Sequence, residues 1–132
     1  MTIGIIAAGG DEPQRVIDAC RMRGLAIFVV ALEGVADPAV VGESPHVWVR
    51  LGAGGQMLKA LRKAGVSEIA FCGRIKNFSL ASLRPDLWTI KFIARHGTGL
   101  LQDEAKLTAA LVHDIERSEG FRVVDAKTLL TA

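Results

Sequence analysis

Three glycine-bearing turns, each directly after an apolar run, hold the residues whose types and spacing suit chemistry. Gly9-Gly10 ends the run 3–8, and Asp11-Glu12-Pro13 opens an amphipathic segment behind it. Gly52-Ala53-Gly54-Gly55 follows the run 47–50 and opens a second amphipathic segment, with Lys59 one turn in. Gly73-Arg74 ends the run 68–72, with Lys76 two residues on. Glycine lets backbone come close to a ligand and adopt positive φ. A helix start offers N–H groups to an anion, and a guanidinium such as that of Arg74 pairs with phosphate oxygens. Such turns sit at the carboxyl ends of parallel strands, where α/β sheets take ligands. The chemistry implied is binding of a phosphate or sugar phosphate. The bland alternatives are a tight strand–helix turn at Gly9-Gly10, a flexible loop with a solvated lysine at residues 52–55, and an ordinary surface arginine at Arg74.

No familiar nucleotide fingerprint is present. Asp11-Glu12-Pro13 stands where the glycine spacing of G-x-G-x-x-G would continue, and no Gly-Lys-Ser/Thr completes a Walker loop. Asp103 and Glu104 fall in the first turn of a long helical segment, where acids cap N–H groups and complement the helix dipole. As oxygen donors they also suit magnesium, which needs several converging ligands. His46, His96 and His113 follow no metal-ligand spacing, and His113, beside Asp114, belongs on a solvated helix face. Cys20 and Cys72 are too far apart for a redox or metal pair and read as free cytoplasmic thiols. A nucleophile elbow, a Ser-His-Asp set and a pair of catalytic carboxylates are all missing from the pattern. The inventory suits binding more than catalysis.

The elements that position these residues follow from hydrophobic periodicity. Short apolar runs rich in branched residues predict strands at 3–8, 26–32, 47–50, 68–72 and 121–124. Between them, 13–23 carries Val16, Ile17 and Cys20 on one face and stops at Gly24, and 56–64 carries Met57, Leu58 and Leu61 and stops at Gly65. Strands alternating with helices imply βαβ units and a parallel sheet. The second half predicts a helix over 80–96 closing at Gly97 and another over about 102–119 ending at Gly120, joined by His96-Gly97-Thr98-Gly99. The expected fold is therefore α/β: a Rossmann-like, mostly parallel sheet of about five strands flanked by helices, with a helical hairpin before the last strand. Residues 123–130 are expected to leave the sheet, and the whole of 1–132 reads as one domain.

Composition excludes several classes. The 132 residues are 50% apolar, which argues against disorder, and a net charge of +2 spread along the chain offers no stripe for a nucleic-acid backbone. Aromatic residues, at 5%, are too few for base stacking, so no nucleic-acid partner is expected. The longest apolar stretch, 25–32, is too short to span a bilayer, and the N-terminus lacks the pattern of a secretory signal. A cytoplasmic protein is expected.

The blocks together resemble a known family. GIIAAGGDEP is similar to its opening Gly-Leu-Ile-Ala-Gly-Gly-Gly-x-Leu-Pro. LGAGGQMLKALRKAGVSEIAFCGRIKN is similar to its Gly-x-x-Gly-x-x-x-x-x-Leu-[Lys/Arg] helix and the strand that follows. GLLQDEAKLTAALVHDIERSEGFRVVDAKTLL is similar to its Gly-Asp-[Asp/Asn]-x-Leu-Leu helix, Glu-Gly-Phe and last strand. The family is that of LpxI-type UDP-2,3-diacylglucosamine pyrophosphatases, and the resemblance covers this chain but only the N-terminal half of the family's length. It implies magnesium-assisted hydrolysis of UDP-2,3-diacylglucosamine to 2,3-diacylglucosamine 1-phosphate and UMP, in lipid A biosynthesis. It further implies two domains that hold the lipid-sugar between them, with the catalytic carboxylate in a C-terminal domain beyond this chain. By position, Gly9, Gly10, Gly52, Gly73 and Asp103 match the family pattern and are expected to shape the substrate cleft, with Arg74 beside them. Ala8, Glu12 and Gln102 depart from it, standing where a glycine, an apolar residue and a glycine are usual. The resemblance thus implies a substrate-cleft domain, inactive alone, that binds a lipid-linked UDP-sugar or its phosphate product and allows peripheral membrane contact and self-association. The alternatives are a stand-alone nucleotide-binding module, for which Glu33 after the second strand supplies a ribose-binding acid, and a non-catalytic self-associating domain.

Overall fold

The computed structural model describes residues 2–75 and 83–131. Its centre is β1 (Thr2–Ala7), whose side chains alternate between two apolar layers. Ile3, Ile5 and Ala7 face one layer, and Ile6 and Ala8 the other. Burial on both faces explains why this strand reads as an unbroken apolar run rather than an alternating one. β2 (Ala26–Leu32) and β4 (Val66–Cys72) flank β1, β3 (His46–Val49) pairs with β2, and β5 (Arg122–Val123) with β4. All pairings are parallel, in the order β3-β2-β1-β4-β5. The chain builds outward from β1 to β3, then crosses to the other side of β1 to lay down β4. That reversal places a switch point at the carboxyl ends of β1 and β4.

One face of the sheet is covered by α1 (Glu12–Met22), which buries Pro13, Val16, Ile17 and Cys20. Fully burying a side chain such as Ile17 contributes about 1.5–3 kcal/mol. The helix ends as its sequence asks. Gly24 takes φ +69°, its N–H bonds the Arg21 carbonyl at 3.0 Å, and the Leu25 N–H bonds the Cys20 carbonyl at 3.0 Å. This pair of bonds is a Schellman cap, which satisfies two otherwise orphaned carbonyls.

The opposite face carries α2 (Gly54–Lys63), α3 (Leu87–His96) and α4 (Glu104–Ser118). On α3, Trp88 stacks on Phe92 at 5.4 Å between ring centroids, and Phe92 meets His96 at 4.9 Å. Glu119, just beyond α4, joins the layer together: it pairs with Arg62 of α2 at 2.5 Å and accepts the Trp88 indole N–H at 3.4 Å. Gly4 makes the packing under α2 feasible, since a Cβ there would lie 2.7 Å from Leu61 Cδ2.

The fold expectation is met: a five-stranded, all-parallel sheet with helices on both faces. Two details differ. The helix expected over 80–96 is described from Leu87, with Asp86 as its N-cap accepting the Thr89 N–H at 3.0 Å. Pro85 disfavours helical backbone at the residue before it, and Asp86 offers the cap; residues 80–82 of that expectation lie outside the described residues, as does Lys76. The residues expected simply to leave the sheet form a further helix, α5 (Ala126–Thr131), whose Ala126 and Leu129 join the core beside α1.

Candidate functional site

β1 and β4 end side by side, Ala7 opposite Cys72, and the turns beyond them are tied together. Gly9 and Arg74 exchange backbone hydrogen bonds, N–H to carbonyl in both directions at 3.0 Å, and the Ala8 N–H bonds the Cys72 carbonyl at 2.9 Å. Gly73 makes this bridge feasible in two ways. Its φ is +91°, and a Cβ on it would sit 2.4 Å from the Gly9 carbonyl oxygen. The closeness that glycine permits here is therefore between two turns of the chain. Gly10, also at positive φ, has nothing within 4 Å of where a Cβ would be.

Above the bridge lies an open cleft of about 600 Å³, lined by Gly9, Gly10, Gly34, Gly73 and Arg74 together with the acids Asp11, Glu12 and Glu104. Glu12, the first residue of α1, turns its carboxylate to the end of β4, where Oε1 accepts the Gly73 N–H at 2.9 Å. Burial, then the Glu12 charge and Cys20, push the Cys72 thiol up to about 12. Cys72 is thus a neutral thiol at physiological pH and no nucleophile. Cys20 is also raised, by burial, partly offset by Arg23.

A second cavity, of about 320 Å³, opens between the sheet and helices α3 and α4. Its walls are overwhelmingly apolar: Ile6, Phe71, Met57, Trp88 and Phe92 are among them. Gly73 and Glu104 line both this cavity and the polar cleft, so the two meet at those residues.

The other sequence candidates sit elsewhere. Gly52 does not line the cleft; a Cβ on it would lie 1.9 Å from the Leu83 carbonyl oxygen, and its own carbonyl accepts the Asp86 N–H at 2.9 Å. Two of the N–H groups that open α2 are taken as well, Gly54 by the Thr89 hydroxyl at 3.0 Å and Gln56 by Asp86 Oδ2 at 3.1 Å. Asp86 therefore caps two helices at once, a role that Pro85-Asp86 ahead of an apolar stretch signals for α3 but not for α2. Asp103 also serves as a cap, with Oδ1 accepting the Lys106 N–H at 3.1 Å. Glu33 is exposed and does not line the cleft. Met57 reads in the sequence as part of an apolar helix face, and only the packing of α3, with Trp88 and Phe92, reveals a cavity beside it.

Away from the cleft, Asp114 is 4% exposed and accepts from Arg95 Nη2 at 2.6 Å, His96 Nε2 at 3.0 Å and His113 Nδ1 at 3.2 Å. Burial by itself would raise its pKa, but the hydrogen bonds from His113, His96 and Arg95 and the Arg95 charge hold it below the usual carboxylate range. The cluster pins α3 to α4.

Chemically, the described residues of the cleft can accept hydroxyl donors on three carboxylates and meet an anion with one guanidinium. Among the described residues no group of three or more His, Cys, Asp or Glu is arranged to hold a metal ion. Among them, too, no helix is long and apolar enough to cross a membrane.

Known proteins resemble the chain over nearly its whole length. UDP-2,3-diacylglucosamine pyrophosphatase LpxI of Caulobacter vibrioides is 27% identical over 128 residues, covering 97% of this chain. The chain spans 45% of that relative's length. Among solved structures, UDP-glucose 4-epimerase of Thermus thermophilus in complex with NAD aligns over 61% of this chain and 25% of its own. Its identity is 16% and the TM-score 0.49, a likeness too slight to carry an argument. The model of the LpxI N-terminal domain matches residues 2–132, and with that match across the sheet, its turns and the cleft they line, the chain belongs to the LpxI N-terminal domain family.

Proposed function

We propose that this chain forms the part of a UDP-2,3-diacylglucosamine pyrophosphatase that holds the acylated sugar phosphate. One observation supports this above the rest: a polar cleft and an apolar cavity meet at Gly73 and Glu104. A sugar with hydroxyls, a phosphate and acyl chains needs such a pairing of surfaces. Carboxylates of Asp11 and Glu104 accept sugar hydroxyls, Arg74 meets the phosphate, and an acyl chain lies against Met57, Trp88 and Phe92. Apolar contact of this kind contributes about 25 cal/mol for each Å² removed from water.

Hydrolysis of the pyrophosphate, with the magnesium it calls for, belongs in this proposal to the rest of a longer protein. The chain alone releases no UMP from UDP-2,3-diacylglucosamine. A lipid-linked substrate also implies work at the cytoplasmic membrane surface. Calorimetric titration with 2,3-diacylglucosamine 1-phosphate, against glucosamine 1-phosphate, tests the binding role. The acylated ligand is expected to bind at least tenfold more tightly, about 1.4 kcal/mol. Equal affinity for the two would refute the role.

A further inference from the structure

The cleft contains its own anion. Gly73, just past the end of β4, lines both the cleft and the apolar cavity, and Glu12 Oε1, from the same cleft lining, accepts its N–H at 2.9 Å. Beside it stands Arg74, the cation of the cleft lining, and no ion pair of the Arg74 side chain is formed among the described residues. An N–H next to a guanidinium is a fitting pair of donors for one phosphate. Here the N–H of that pair is held by a carboxylate from across the bridge, 61 residues away in sequence. Asp11 and Glu104 line the same cleft and add to the negative field a phosphate would meet.

We infer that Glu12 is a built-in competitor for the phosphate position. Its carboxylate and a phosphate oxygen contend for the Gly73 N–H, so a ligand's anionic group binds only as Glu12 moves off that donor. Glu12 thereby sets the selectivity of the cleft. A bare phosphate does not displace it cheaply, whereas a ligand that also fills the apolar cavity has further contacts to offset the exchange. This rests on the proposed reading of the cleft as a phosphate-binding surface.

The test uses the chain labelled with nitrogen-15, as wild type, Glu12→Gln and Glu12→Ala, titrated with inorganic phosphate while the Gly73 and Arg74 amide resonances are followed. Glu12→Ala is expected to bind phosphate about tenfold more tightly than wild type, with the largest shift at Gly73. Glu12→Gln, which keeps side-chain size and a neutral acceptor, is expected between the two and serves if the alanine variant fails to fold. Unchanged or weaker affinity in the folded variants would overturn the inference. So would tighter binding that leaves Gly73 unmoved. Tighter phosphate binding by the variants, alongside equal affinity of the wild type for acylated and deacylated sugar phosphates, would sink the lipid-sugar proposal and leave the role of Glu12 standing.

Discussion

Gly73 and Gly10 share a positive φ but not an environment, and the contrast isolates what the strand-end bridge contributes. Gly73 has φ +91° and Gly10 φ +92°. Alanine at either position carries the cost of left-handed backbone, about 1–2 kcal/mol. At Gly10 that is the whole cost, because no atom beyond its immediate chain neighbours lies within 4 Å of the new methyl. At Gly73 the methyl would sit 2.4 Å from the Gly9 carbonyl oxygen and 3.0 Å from the Ala8 carbonyl carbon. Both are backbone atoms of the bridge, so relief requires the two turns to part, at a further cost of about 1–3 kcal/mol. Gly73→Ala is thus expected to lose about 2–5 kcal/mol, a large share of a stability that in domains of this kind is about 5–15 kcal/mol. Urea denaturation followed by circular dichroism gives both values. Hydrogen exchange at the Gly9 and Arg74 amides should accelerate in Gly73→Ala alone. Equal destabilisation by the two variants, with unchanged exchange at the bridge, would refute the claim that Gly73 is a close-approach glycine.

Asp114→Asn should lose about 2 kcal/mol at neutral pH, a figure already discounted because Arg95 and His113 are half or more exposed. The Asp114 pKa is lowered in the folded chain, so the carboxylate's contribution is fully present above its ordinary value of 3.8 and is lost as pH falls through the lower folded value. The gap between wild type and variant in urea midpoints should therefore narrow at acid pH, and a gap constant down to pH ~2 would contradict this. Asp86→Ala removes acceptors from two helix starts and should cost about 2 kcal/mol, twice a usual cap. Exchange should quicken at both the Gln56 and Thr89 amides; quickening at Thr89 alone would show that α2 does not depend on Asp86.

What was legible in the sequence tracks how local the deciding interaction is. β1 and β2 announce themselves because burial on both faces leaves an apolar run, and α1 because its periodic face ends at a left-handed glycine. α5 escapes because six residues are too few to show a period, and its contacts are with α1, far back in the chain. The glycine turns were readable as turns but not as to what they approach. Gly52 and Gly73 allow close contact with other backbone, Leu83 and Gly9, and a sequence cannot separate that from close contact with a ligand. Long-range partners were the least legible. Nothing near Glu12 points to Gly73, and nothing near His113 shows that Arg95 and His96 share Asp114 with it. The apolar cavity follows from the placement of α3 against the sheet, which depends in turn on Asp86 and on the Glu119 contacts.

The central claim is that one ligand spans the polar cleft and the apolar cavity. Intermolecular nuclear Overhauser effects, recorded on the chain mixed with 2,3-diacylglucosamine 1-phosphate, test it most directly. Acyl methylenes should show contacts to the Met57 methyl and the Trp88 and Phe92 rings, while the Gly10 and Arg74 amides shift with the head group. Acyl contacts confined to the exposed Leu87 and Ile90 of α3, with the cleft amides unmoved, would contradict the account.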